Sequence, residues 1–236
     1  VGLTDAHHRV TQEALNVVTK FVENCEKLYP GLGVGAHVAS GGTATNLTNS
    51  SNIQGLKWLG TCLPELFQRL LDQRPHIRQH ANTLLNSVRV TLDPVLVISA
   101  LAPRVVEVPE KVKTAVMQFL HVVVPHGVGY FAVPTQTNLF LSRMAIVLGS
   151  GNSKPSNTLL QAGVKLLELV YNVCPQVICG QIAVLPLQQQ LVLKKLYIAS
   201  VPDIDALVRI AAKVDQGKPA SSNTGIINSS VATAVI

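Results

Sequence analysis

His76 and His80 stand four residues apart in a stretch of helical period, the spacing at which two imidazoles on one helix face can hold a metal ion together. Such a pair needs further ligands. No Glu follows His76, and no Cys, Asp or His partner lies nearby at ligand spacing, so both read as ordinary helix positions. Gly31, Gly33 and Gly35 imitate part of a phosphate-binding glycine pattern, but no strand precedes them and no helix opens at the third glycine. Gly149, Ser150 and Gly151 read as a helix C-cap and turn. His7 and His8 adjoin a helix start, His126 adjoins a helix end, and His37 has no visible partner. Cys174 and Cys179 flank a proline and read as buried thiols. No G-x-S-x-G elbow is present and the carboxylates are scattered singly, so no nucleophile or acid–base pair presents itself. The expectation is a chain without catalytic residues, metal or cofactor. Trp58, the single tryptophan, reads as core packing.

The elements that carry these residues follow from composition and period. The 236 residues are 47% hydrophobic but only 4% aromatic and 14% charged, which excludes a disordered chain because so much aliphatic surface must be buried. Four irregularly spaced cysteines argue against a disulfide scaffold and fit a reducing compartment. No signal-peptide pattern and no membrane-length apolar run is seen, and a start at Val1 suggests a fragment of something larger.

Val10, Ala14, Val17, Val18, Phe21, Val22 and Cys25 recur at steps of three and four, an amphipathic helix with Thr4 and Asp5 as N-cap candidates. The stripe returns as Ile77, Ala81, Leu84, Leu85 and Val88, then as Val112, Val116, Phe119, Leu120, Val123 and Val124, and finally as Thr158, Ala162, Leu166, Leu169 and Val170. Helical runs at 56–71, 95–106 and 131–148 precede the last three, and Pro75, Pro94, Pro109 and Pro155 mark helix starts. Further helical segments follow at 177–185, 187–197 and 204–214. Once a Gly/Ser/Thr/Asn-rich loop insertion at 30–52 is discounted, the spacing lies near the roughly 40–47 residues of HEAT-type helix pairs, with one short repeat. The predicted fold is all-α, a single αα-solenoid domain over 1–214 of about four and a half repeats, with a tail at 215–236. Stacked helices explain the abundance of small aliphatics and the scarcity of aromatics.

In a solenoid the turns inside each pair align along one edge. Those turns read LTDAHHRV, LDQRPHIR, VEVPEKVK and GSGNSKPS, and they place Arg9, Arg74, Arg78, Lys111, Lys113 and Lys154 on a common edge, six of the 19 basic residues. Asp5, Asp72, Glu107 and Glu110 share it. The formal net charge is +6, and its partial localisation predicts an acidic protein partner steered electrostatically and weakened by salt. Nucleic acid is disfavoured because acids interrupt the basic residues and aromatic stacking partners are missing.

A helix ending Leu-Leu-Asp, a polar turn and then Ile-Arg-x-x-Ala, as in Leu70 to Ala81, resembles the HEAT repeats of TOG domains. The stretch LPELFQRLLDQRPHIRQHANTLLNSV is most similar to the CLASP group of microtubule-associated proteins. VEVPEKVKTAVMQFL and NTLLQAGVKLLELVYNVCPQ resemble the fourth and fifth loop regions of that domain, so the likeness covers roughly residues 3 to 197. The resemblance implies a non-catalytic, monomeric domain that binds tubulin or microtubules in the cytoplasm and spindle. It assigns the contacts to His8 and Arg9 in the second loop, Arg74 and Arg78 in the third, Lys111 and Lys113 in the fourth, and Asn152 and Lys154 in the fifth. Arg78 and Lys113 match the basic residue after the first apolar anchor, whereas Thr11 and Leu159 stand there in the first and last repeats. No residue matches the exposed aromatic of the family's first loop. The other reading is a HEAT-repeat adaptor that binds a protein or peptide along its helices.

Overall fold

A computed structural model describes residues 8–24, 50–149, 154–198 and 200–216. The described chain is all-α, with eleven α-helices and no strand among the described residues. They are α1 (His8–Glu23), α2 (Ser50–Arg69), α3 (Pro75–Thr91), α4 (Pro94–Leu101), α5 (Glu110–Val123), α6 (Val128–Phe131), α7 (Pro134–Gly149), α8 (Asn157–Val173), α9 (Pro175–Val184), α10 (Leu187–Tyr197) and α11 (Ile204–Gln216), with a 3-10 turn at Val124–His126.

Prolines start helices as their missing N–H predicts. Pro75, Pro94 and Pro175 occupy first-turn positions and Pro109 precedes α5. Asp93 caps α4 by accepting a hydrogen bond from the Val95 N–H at 2.7 Å, and Ser156 caps α8 by accepting one from the Leu159 N–H at 3.3 Å. Pro64 is the exception, lying inside α2 and buried there.

Boundaries differ from expectation in several places. Ser50, Ser51 and Asn52, expected in the loop, belong to α2, and the remainder of that loop lies outside the described residues. Asp215 and Gln216, expected in the tail, extend α11, while 217–236 lie outside the described residues. The run at 95–106 ends as a helix at Leu101, and Phe131 closes α6 rather than opening α7, because Pro134 restarts the helix. Thr4, Asp5 and Cys25 also lie outside the described residues.

Consecutive helices alternate between two packed series from α1 to α6 and again from α7 to α11, with α6 and α7 both in the second series. In one, α1 packs on α3, α5 on α8 and α8 on α10; in the other, α2 packs on α4, α4 on α6, α7 on α9 and α9 on α11. Between the series, α2 touches α3 and α5, and α7 touches α8 and α10. The core lies where they meet. Leu59, Leu63, Leu66 and Phe67 of α2 are buried there with Ile77, Leu84, Val88, Val112, Val116 and Leu120. Phe67 meets Phe119 edge-on at 5.3 Å, and Phe131 meets Phe140 likewise at 5.3 Å.

Two apolar stripes are turned from their expected faces. In α1, Thr11, Leu15, Val18 and Val22 are buried while Val10 and Val17 are 41% and 62% exposed. In α8 the buried set is Leu159, Gly163, Leu166, Leu167 and Val170, with Thr158 exposed. Close packing sets the second rotation: a Cβ on Gly163 would come within 2.5 Å of a Leu148 methyl, so α8 presents the residue without a side chain to α7. Tyr197, fully buried on α10, donates its hydroxyl to the Leu167 carbonyl of α8 at 3.1 Å.

Outside the core, Leu187, Leu191 and Ile198 form an exposed apolar line along and just past α10. Among the described residues no single helix is long and apolar enough to cross a membrane. The bent pair α8–α9 meets the length and composition together, but with a 115° turn at its break.

Candidate functional site at the helix turns

The α2–α3 turn is built around one carboxylate. Asp72 accepts from the Arg69 Nη1 at 3.0 Å, from the Arg74 Nε and Nη2 at 2.8 Å each, and from the Arg74 backbone N–H at 3.0 Å. The last contact is an Asx-type turn, which explains why the chain reverses between Leu71 and Pro75. Asp72 is almost wholly enclosed, with 6% of its side chain exposed, and these hydrogen bonds, above all from the Arg74 guanidinium, hold its carboxyl well below the usual range.

Arg78, on the first turns of α3, folds back differently. Its Nη1 donates to the carbonyls of Asp72 at 2.8 Å and Gln73 at 2.9 Å, and the side chain remains exposed. Arg74 thus spends its paired Nε–Nη2 edge inside the turn, while Arg78 is anchored to backbone through one nitrogen.

The starts of α5 and α8 meet. Glu110, the first residue of α5, accepts a hydrogen bond from the Ser156 N–H at 2.9 Å, and Ser156 is the cap of α8. Lys111 and Lys154, on either side of this bond, are exposed; Lys113 is half-buried, one turn from Glu110. Hydrogen bonding to Ser156, reinforced by the Lys113 charge, lowers the Glu110 pKa. In the preceding turn Arg104 pairs with Glu107 at 2.9 Å.

The expected site residues therefore fall into groups. Arg74 and Arg78 share one turn, and Lys111, Lys113 and Lys154 share another region through the Glu110–Ser156 bond. Arg9 is exposed near the start of α1. His8 opens α1 but its side chain lies outside the described residues, as does Asn152 altogether. α1 is tied to α3 by His80, whose Nδ1 lies 2.8 Å from Gln12 Nε2 and whose Nε2 lies 3.2 Å from Thr19 Oγ1. The Thr19 hydroxyl donates to the Leu15 carbonyl, so the network assigns the proton to His80 Nε2 and leaves Nδ1 to accept from Gln12. His80 is an interhelix bridge, and His76 is exposed beside it. Among the described residues no group of three His, Cys, Asp or Glu side chains is placed to hold a metal.

The remaining candidates are structural. Trp58 is half-buried, its ring 3.9 Å from that of Phe21 across α1 and α2. Burial pushes the Cys62 thiol up to about 11 and also raises Cys174 and Cys179, so none is a ready thiolate near neutral pH. The organising residues that sequence reasoning undervalued are Asp72 and Glu110, which read as mere edge charges. The D-x-R-P order was a usable signal for Asp72, but no local signal pairs Glu110 with Ser156.

No family model, curated protein or solved structure matches the chain.

Proposed function

We propose that this chain is a non-catalytic, TOG-like HEAT domain of the CLASP type that binds tubulin or microtubules through its basic turns. The observation that carries the reading is the meeting of the α5 and α8 starts, which gathers Lys111, Lys113 and Lys154 at one place on an exposed edge. The alternation of helices between two packed series, interrupted once at α6–α7, supports a HEAT-type stack. On this reading the basic turns adsorb to an acidic tubulin surface, with the Coulomb attraction setting association rate and salt sensitivity. The setting is the cytoplasmic microtubule array and spindle, and no cofactor is required.

Microtubule co-sedimentation and tubulin gel filtration across a salt series test it. Native chain pellets at low salt and is released as salt rises, and Lys111→Ala/Lys113→Ala/Lys154→Ala pellets far less at every salt. Pelleting unchanged by the triple substitution sinks the reading.

A second reading, an adaptor for another protein or peptide along its helices, is favoured by the exposed Leu187, Leu191 and Ile198 line. It predicts no tubulin binding at low salt.

A further inference from the structure

We infer that Arg78 is a preset receptor for a single carboxylate of the acidic partner, held ready by the backbone of the α2–α3 turn. The inference rests on the proposed reading of the turns as a surface for an acidic protein. Its template lies inside the same turn: Arg74 grips Asp72 side-on, with Nε and Nη2 each 2.8 Å from one carboxylate oxygen. Arg78 carries the same Nε–Nη2 edge. Both hydrogens of its Nη1 are committed to the Asp72 and Gln73 carbonyls, while Nε and Nη2 have no hydrogen-bond partner among the described residues.

A guanidinium anchored at one nitrogen has lost most of its rotamer freedom before a ligand arrives, so a carboxylate need not supply that ordering. The free edge is planar and bidentate, matched to a carboxylate and not reproduced by a lysine ammonium. Asp72 is placed to serve the receptor indirectly. Its carboxylate is the shared counter-charge of Arg69 and Arg74, and its carbonyl positions Arg78. Arg74 and Arg78, equal as basic turn residues in the sequence, therefore have different work: the first builds the turn and the second faces outward.

The test compares Arg78→Lys, which keeps the charge and loses the fork, with Arg78→Ala and with Lys165→Arg as a control at an exposed helix position outside the turns. Binding of the 236-residue chain to a deca-glutamate peptide and to microtubules assembled from purified tubulin is measured, with the melting temperature of each variant. Arg78→Lys is expected to lose about tenfold in affinity for both probes at a melting temperature near that of the native chain, as expected for loss of a charge-assisted hydrogen bond. Lys165→Arg is expected to lose nothing. Arg78→Lys binding both probes like the native chain overturns the inference, as does failure of the native chain to bind either probe. If the peptide binds with the Arg78 dependence but microtubules do not, the receptor stands and the tubulin reading falls. If microtubules bind natively and Arg78→Lys is indifferent, the reverse holds.

Discussion

Glu110 accepts a hydrogen bond from the Ser156 N–H at 2.9 Å across 46 residues of sequence, so one carboxylate joins the starts of two packed helices. It also lies at the positive end of the α5 dipole, where an anion is favoured. Folding lowers the Glu110 pKa, chiefly through Ser156. A carboxyl depressed on folding contributes stability that is fully present above its unfolded value, about 4.3, and lost as pH falls through the lower folded value. Urea unfolding at stepped pH checks this: Glu110→Gln should flatten the decline in stability below about pH 4.5, and identical pH slopes for the two chains would contradict it.

Asp72→Asn leaves Arg69 and Arg74 without their shared counter-charge in a nearly closed turn. Loss of hydrogen bonds to charged groups predicts a stability decrease of about 2 kcal/mol, seen as a melting temperature lower by about 4–8 °C. Because the folded carboxyl titrates far below the usual range, the decrease should persist from neutral pH down to about pH 4, near the unfolded value. Circular dichroism melts across that range measure it, and a variant that melts with the native chain refutes the role given to Asp72.

Two helical glycines make opposite predictions. An alanine methyl at Gly163 would sit 2.5 Å from a buried Leu148 methyl, so Gly163→Ala must displace α7 or the Leu148 rotamer and should destabilise by about 1–2 kcal/mol despite its better helix propensity. At Gly180 in α9 a Cβ meets nothing within 4 Å, and Gly180→Ala should stabilise by about 0.5–1 kcal/mol. Denaturant midpoints of the two variants should move in opposite directions, and a shared direction would discredit the α7–α8 packing.

Burial that raises the Cys62 thiol to about 11 leaves little thiolate at pH 8. Iodoacetamide labelling followed by peptide mapping should find Cys62 modified far more slowly in the native chain than in urea. Labelling at equal rates in both conditions would place Cys62 outside the α2 packing.

Sequence period located α3 and α5 with their buried faces because most of their apolar residues fall on one side: Ile77, Ala81, Leu84, Leu85 and Val88 all face the core, as do Val112, Val116, Leu120 and Val123, with Val90 and Val122 left exposed. α1 and α8 carry apolar residues on adjacent sides, and tertiary contacts chose between them, burying Thr11 in place of Val10 and Leu159 in place of Thr158. At the candidate site the charges were legible but their direction was not. Arg74 and Arg78 look alike in a string, and only the fold of the turn separates the arginine that closes on Asp72 from the one that reaches past two carbonyls. The Glu110–Ser156 contact was hidden for another reason, since long-range pairing depends on which helices become neighbours.

The tilted ring contact of Trp58 with Phe21 gives this chain an optical address. With one tryptophan in 236 residues, tryptophan emission originates at a single seam between α1 and α2, far in sequence from Lys111, Lys113 and Lys154. A change in emission colour therefore reports the parting of that helix pair, and a denaturation curve followed by fluorescence can be laid against one followed by helicity to ask whether the first pair melts in step with the others.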